Sequence, residues 1–145
     1  MGRLAWGGLG LCLWGSLAWG QVQVSDAYLA VLAPERQQVA CMGLDNQGDS
    51  VVRLLGARTP DGQTVRLGEA RWDDRQGRYR FRPLHKLVVP AGGQALLQPQ
   101  GFWLWFADAK TPPAGEQALV LQFDDGSELT VTLPVREVPI PVPQS

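Results

Sequence analysis

Short segments of alternating apolar and polar residues recur along the chain, and no stretch repeats its apolar residues with the period of about 3.6 expected for a helix. Clusters of glycine, proline, asparagine and aspartate separate these segments, as in tight turns. The segments predict strands over residues 22–31, 39–45, 51–57, 64–70, 78–82, 87–89, 94–98, 102–107, 117–123 and 128–135. So many short strands in 145 residues favour an all-β protein, an immunoglobulin-like Greek-key β-sandwich with one core.

The first 20 residues have the organisation of an export signal. Arg3 precedes an uncharged, largely apolar stretch, and the stretch ends in Ala18-Trp19-Gly20, with small residues where signal peptidase cleaves. We therefore expect a signal peptide over 1–20, one domain over 21–135, a proline-rich extended tail over 136–145, and a periplasmic or other extracytoplasmic location. The alternative is an uncleaved anchor, for which the stretch is short. Cys12 follows Leu11 rather than a small residue, which argues against lipidation.

The charge and the reactive side chains of the mature chain exclude several classes of function. Without Arg3, 12 Lys and Arg face 14 Asp and Glu, a balance that does not indicate nucleic-acid binding. No nucleophile motif and no glycine-rich phosphate loop is present, so no enzymatic activity is expected. Cys41, Met42 and His85 are each the single representative of their type after residue 20, so an internal disulfide cannot form.

Several short motifs occur in a fixed order over nearly the whole mature chain. They are Val24-Ser25-Asp26-Ala27-Tyr28, Leu44-Asp45-Asn46-Gln47-Gly48-Asp49, Leu55-Gly56-Ala57, Arg80-Phe81-Arg82-Pro83-Leu84, Leu87-Val88-Val89-Pro90-Ala91-Gly92-Gly93, Gln100-Gly101-Phe102-Trp103-Leu104, Lys110-Thr111-Pro112 and Gly115-Glu116. In order and spacing this sequence resembles the PCu(A)C family, periplasmic copper chaperones that help to metallate the CuA centre of cytochrome oxidase. The resemblance implies a cupredoxin-like β-sandwich, and as partners cytochrome oxidase assembly proteins or another copper carrier.

Members of that family hold Cu(I) with two His and about two Met, and the resemblance places these ligands on residues that cannot replace them. The aligned positions are Gly68, Ala70, Phe81, Trp103 and Trp105. The family's 21 residues between the third and fourth of these positions are kept, whereas the preceding hairpin is about two residues longer. Gly, Ala and Phe offer no donor to a soft ion, and Trp offers only an N–H. We therefore expect no metal at these positions, and Cu(I) enters only through the family resemblance.

The aromatic side chains at these positions have two interpretations. Phe102, Leu104 and Phe106 alternate with the two tryptophans, so one set is expected to face the core and the tryptophan set the other side of the sheet. If that side is exposed, Phe81, Trp103 and Trp105 form a partner-binding surface, because tryptophan is enriched at binding hot spots. If a neighbouring loop covers it, they are ordinary core residues.

Arginines form a second candidate surface on the same segment. Arg78, Arg80 and Arg82 alternate with Tyr79 and Phe81, so three guanidinium groups share one face of a strand and two rings share the other. The arginines either steer the protein toward an acidic partner or protect an edge strand from aggregation.

Two further functions remain open alongside a copper-chaperone relative that has lost its site and acts as a binding or assembly partner. One is a working copper carrier with a non-standard site built from Cys41, Met42 or His85, including across a dimer. Against it, neighbouring strand residues point to opposite faces, and the histidine is expected on the surface. The other is a copper-independent β-sandwich that binds an apolar or carbohydrate-like ligand or has a structural role.

Overall fold

The alternating segments fold into strands, and the all-β prediction is confirmed. The computed structural model describes residues 22–33, 36–109, 111–139 and 141. The strands in these ranges are β1 (Val22–Ala33), β2 (Gln37–Asn46), β3 (Val52–Arg58), β4 (Thr64–Asp73), β5 (Arg78–Pro83), β6 (Leu87–Val89), β7 (Gln94–Leu97), β8 (Phe102–Trp105), β9 (Glu116–Phe123) and β10 (Glu128–Pro139). Every predicted strand is present, and the differences lie at strand ends. In these ranges no helix has the length and apolar character needed to cross a bilayer.

The strands form one sheet that closes on itself. Its order is β5-β4-β8-β7-β2-β1-β10-β9-β3-β6, and β3 also pairs with β4 through Ala57 and Val65. This pairing closes a ring and leaves β5 and β6 at its margins. Strand β4 pairs with β8 as far as Glu69 and with β5 as far as Asp73. The β4–β5 hairpin therefore projects beyond the ring.

Apolar side chains collect on both faces of part of this sheet. The main core lies inside the ring and contains mostly aliphatic side chains, among them Leu29, Met42, Leu44, Leu54, Leu97, Leu104, Leu119, Leu121 and Leu133. A second cluster lies on the opposite face of β1, β2, β4, β5 and β8, and its buried members are Ala30, Leu32, Val39, Cys41, Ala70, Tyr79 and Trp103. Strand β2 faces both clusters, which explains its nearly continuous apolar sequence.

The C-terminal segment differs from the extended arm predicted after residue 135. Strand β10 continues to Pro139, and its last five residues pair in parallel with β1, from Leu29 opposite Val135 to Ala33 opposite Pro139. Pro134 is the last residue paired with β9, so this proline lies where β10 changes partner and its missing N–H interrupts neither ladder. The predicted signal peptide over 1–20 and the last residues of the tail, 142–145, lie outside the described residues.

Candidate functional site: the β4–β5 hairpin and its aromatic cluster

A tight turn aligns the two strands of the hairpin. The Asp73 carboxylate accepts a hydrogen bond from the Arg75 N–H at 2.9 Å, and the Gly77 N–H donates to the Asp73 carbonyl at 2.8 Å. Gly77 has φ 64°, a left-handed conformation that costs glycine little. The turn sets a register in which Trp72 lies opposite Tyr79. The hairpin consequently presents one aromatic face and one charged face.

Five rings form a continuous aromatic cluster, which comprises Trp72, Tyr79, Phe81, Trp103 and Trp105. Ring centroids are 5.2 Å apart for Trp72 and Tyr79, 6.0 Å for Tyr79 and Trp103, 6.3 Å for Phe81 and Trp103, and 4.9 Å for Phe81 and Trp105. All four pairs are tilted or edge-on, the arrangements that aromatic quadrupoles prefer. Each such pair contributes about 0.5–1.5 kcal/mol beyond area burial, so the cluster holds the hairpin against β8.

The fold brings together the five positions that the family resemblance singled out. Gly68 lies opposite Trp103 across β4 and β8, and Ala70 lies opposite Phe81 across β4 and β5. The Phe81 ring covers Gly68 so closely that a Cβ at position 68 would clash with Phe81 Cζ. The ring of Phe81 in turn contacts that of Trp105. Large side chains therefore occupy the space that the two small residues leave.

Burial differs among the three aromatic residues predicted to bind a partner. Trp103 is 1% exposed, and its indole N–H donates to the Pro99 carbonyl at 3.0 Å. Phe81 and Trp105 are half-buried. Leu104, between the tryptophans, packs in the main core, as the predicted alternation requires. Trp103 thus serves packing, whereas parts of the Phe81 and Trp105 rings face solvent.

The side chains at the five positions aligned with the family's ligands do not fit Cu(I). Gly68, Ala70 and Phe81 have no donor atom, and the indole nitrogens of Trp103 and Trp105 carry protons rather than available lone pairs. Across the described ranges, no group of three or more His, Cys, Asp or Glu side chains could hold a metal ion.

The three candidate donors of a non-standard copper site lie apart in the structure. Met42 is buried in the main core, whereas Cys41 belongs to the second apolar cluster on the other face of the sheet. His85 is exposed, in the loop between β5 and β6. Burial raises the pKa of the Cys41 thiol to about 12, against an opposing hydrogen bond with Tyr28. Because the thiolate is the metal ligand, this thiol is a poor donor at neutral pH.

The charged face of the hairpin carries the predicted row of arginines. Arg82 pairs with Glu69 at 2.7 Å, and Arg80 pairs with Asp73 at 3.4 Å. Arg78 donates from Nε to the Gln76 side-chain oxygen at 2.9 Å. The hydrogen bond from Arg82 is the main cause that lowers the pKa of the Glu69 carboxyl. The arginines are exposed and the two carboxylates half-buried, so the ion pairs are open to solvent and shape the surface potential more than the stability.

Sequence reasoning missed Trp72 and the contact of Tyr28 with Arg136. The alternation predicts the end of β4 at residue 70, whereas β4 continues to Asp73 and carries Trp72 on the same face as Ala70. The guanidinium of Arg136 lies 4.9 Å from the centre of the Tyr28 ring, a cation–π contact between β10 and β1. That contact depends on the parallel β1–β10 pairing, which no local sequence pattern specifies.

Comparison with known proteins yields one family and a set of similar structures. A family model described as lipoprotein LpqE-like matches residues 22–135. The copper-bound PCuAC domain from PmoF2 is 19% identical, with a TM-score of 0.59 over 82% of this chain and 95% of that domain. Cu(I)-DR1885 from Deinococcus radiodurans is 26% identical, with a TM-score of 0.58 over 82% of this chain and 83% of DR1885. No curated protein matches the sequence. The predicted resemblance to PCuAC domains is confirmed.

Proposed function

The chain belongs to the LpqE-like family, and on that premise we propose that it is an exported, copper-handling relative of the PCuAC chaperones that acts by binding a protein partner. It carries no Cu(I) at the family's ligand positions. One observation supports the proposal above all others, namely that the Phe81 ring fills the space over Gly68. Two of the similar structures are a copper-bound PCuAC domain and a Cu(I)-bound protein, which supports a place in copper handling.

Packing around Gly68 argues against an intact copper site in its metal-free form. A histidine at position 68 needs a Cβ, which would clash with Phe81 Cζ and lie 2.5 Å from the Arg82 carbonyl oxygen. The Phe81 ring also packs on Trp103 and Trp105. The cluster is thus an alternative filling of the site with its own ring–ring contacts, rather than a site short of one ligand.

The partner surface consists of the exposed parts of Phe81 and Trp105 together with the neighbouring arginines of β5. Tryptophan and arginine are the residues most enriched at binding hot spots, and a cationic row steers an acidic protein toward the rings. By family resemblance, the partner is a cytochrome oxidase assembly protein or another copper carrier. This proposal assigns no catalytic activity to the chain.

We also propose that the closed sheet has the cupredoxin-like Greek-key topology of a β-sandwich. We propose further that residues 1–20 direct export of the protein. The matching family is described as lipoproteins, which carry a lipid on an N-terminal cysteine. Cys12 follows Leu11 rather than a small residue, so we propose cleavage before Gln21 instead of lipidation at Cys12. We expect mass spectrometry of the exported protein to give an N-terminus at Gln21. A lipid-modified Cys12 would show instead that the leader is a lipoprotein signal.

The experiment that tests the proposal is a competition titration for Cu(I). The mature chain, residues 21–145, is titrated under reducing conditions against a chromophoric Cu(I) chelator, and we expect no competition down to micromolar affinity. Tight stoichiometric binding would overturn the proposal, and its loss in Cys41→Ser or His85→Ala would identify an unusual site.

A matched variant makes a negative titration informative. The combined replacement of Gly68→His, Phe81→Met, Trp103→His and Trp105→Met removes three of the five rings and supplies two imidazoles and two thioethers, the donors that Cu(I) prefers. We expect this variant to compete with the chelator where the wild-type chain does not. Trp105→Ala serves as the control that removes a ring without adding a donor.

A further inference from the structure

Strand β5 has a free edge. In the described part of the chain it pairs only with β4, and it stands at one end of the strand order. It is six residues long, from Arg78 to Pro83. An unpaired edge presents main-chain donors and acceptors to which a further strand can bind. The question is which residues of β5 present them and what strand their side chains would accept.

Two hydrogen bonds fix the direction of the main-chain groups. The Leu84 N–H donates to the Leu67 carbonyl at 3.0 Å, so odd-numbered residues of β4 bond toward β5. The Ala70 N–H donates to the Gly101 carbonyl at 2.8 Å, so even-numbered residues bond away from β5, toward β8. Since bonding alternates along an antiparallel ladder, the arginines of β5 bond to β4, and Tyr79 and Phe81 direct their N–H and C=O groups outward.

Charge on this edge is strongly one-sided. The charged face of the hairpin carries Arg71, Arg78, Arg80 and Arg82 against the carboxylates of Glu69 and Asp73. The side chains of Arg80 and Arg82 remain 68% and 63% exposed despite their ion pairs. The other face carries the Tyr79 and Phe81 rings. A strand added here therefore meets cations on one side and aromatic rings on the other.

We propose that the β5 edge binds an extended acidic segment of a partner protein by antiparallel strand addition. Alternate carboxylates of the segment face the arginines, and the apolar residues between them face Tyr79 and Phe81. A second copy of this chain does not fit, because β5 against β5 would set arginine rows beside each other, and like charges across a ladder are unfavourable. The inference deepens the proposed partner role by naming the mode of binding and the chemistry of the partner.

The probe is a labelled peptide of about eight residues that alternates glutamate with valine, and fluorescence anisotropy at low salt measures its binding to the mature chain. We expect binding that weakens with salt and is absent for the same peptide with lysine in place of glutamate. Arg78→Glu should weaken binding about tenfold. Arg58→Glu makes the same charge change at an exposed ion pair of β3, a strand that does not pair with β5, and should change binding less than about twofold. Equal effects of the two variants would overturn the proposal.

Peptide methylation and hydrogen exchange separate strand addition from attraction by charge alone. In an antiparallel ladder the residues opposite Tyr79 and Phe81 bond to β5, so N-methylation of the valines should abolish binding and N-methylation of the glutamates should not. Saturating peptide should slow amide exchange at Tyr79 and Phe81 about tenfold and leave Arg80, already bonded to β4, little changed. Binding without this pattern would overturn strand addition. Tight Cu(I) binding in the titration would instead overturn the proposed function and leave these results unaffected.

Discussion

The main core inside the ring and the aromatic cluster outside it are built from different side chains, and they hold different parts of the chain. The main core is largely aliphatic and includes residues from nearly every strand. The aromatic cluster joins the projecting β4–β5 hairpin to β8 through three ring pairs, and a fourth pair lies within the hairpin. Aliphatic packing closes the sheet, whereas the rings fix a local feature on its surface. Aromatic side chains thus occupy the region of this chain where the PCuAC resemblance places a metal.

Trp103 is the most deeply buried of the five rings, and its removal should have the largest effect. Trp103→Ala should cost about 3–5 kcal/mol, because it deletes a fully buried indole and leaves the Pro99 carbonyl without its donor. Equilibrium unfolding in denaturant measures the loss. Trp105→Ala removes a half-buried ring from the same strand and should cost clearly less. Equal losses would show that the exposed part of the cluster is as structural as its buried part.

Gly68→Ala tests the close packing of Phe81 and should cost about 1–3 kcal/mol through overpacking. A double-mutant cycle with Phe81→Ala isolates the cause, since removal of the ring leaves only the Arg82 carbonyl close to the new Cβ. We expect a coupling free energy of about 1 kcal/mol in favour of the double variant. Additive losses would mean that the new Cβ destabilises the protein by its contact with the β5 backbone rather than with the Phe81 ring.

How much of this arrangement a sequence can predict depends on the range of the interactions. All the strands follow from local alternation, as does the separation of Leu104 from Trp103. The contact of Phe81 with Gly68 joins two strands, and the family resemblance brought these positions together where no local pattern could. The sequence predicts an extended tail after residue 135, because it does not show that β10 exchanges β9 for β1 at Pro134.

Cys41 allows the second apolar cluster to be tested by pH. Its folded thiol has a pKa of about 12 against an ordinary value of 9.0, so above pH 9.0 the unfolded chain loses a proton that the folded chain keeps. The free energy of unfolding should therefore fall as pH rises from 9.0, by about 1 kcal/mol over the first pH unit and by about 1.4 kcal/mol per unit above that, up to the folded pKa. Denaturant unfolding of wild type and Cys41→Ala measures the difference. A variant with the same pH dependence as wild type would mean that the thiol is accessible to water.

The charged face of the hairpin should respond least in stability, which sharpens its contrast with the rings behind it. Arg82→Gln removes the ion pair with Glu69 but leaves both strands paired, so the denaturation midpoint should stay unchanged within error. The pKa of the Glu69 carboxyl should rise toward its ordinary value, because the hydrogen bond from Arg82 is the largest cause of its depression. An NMR titration of that carboxyl measures the shift. A lowered midpoint would show that the arginine row braces the hairpin, whereas an unmoved midpoint with a raised Glu69 pKa leaves the row free to serve a partner.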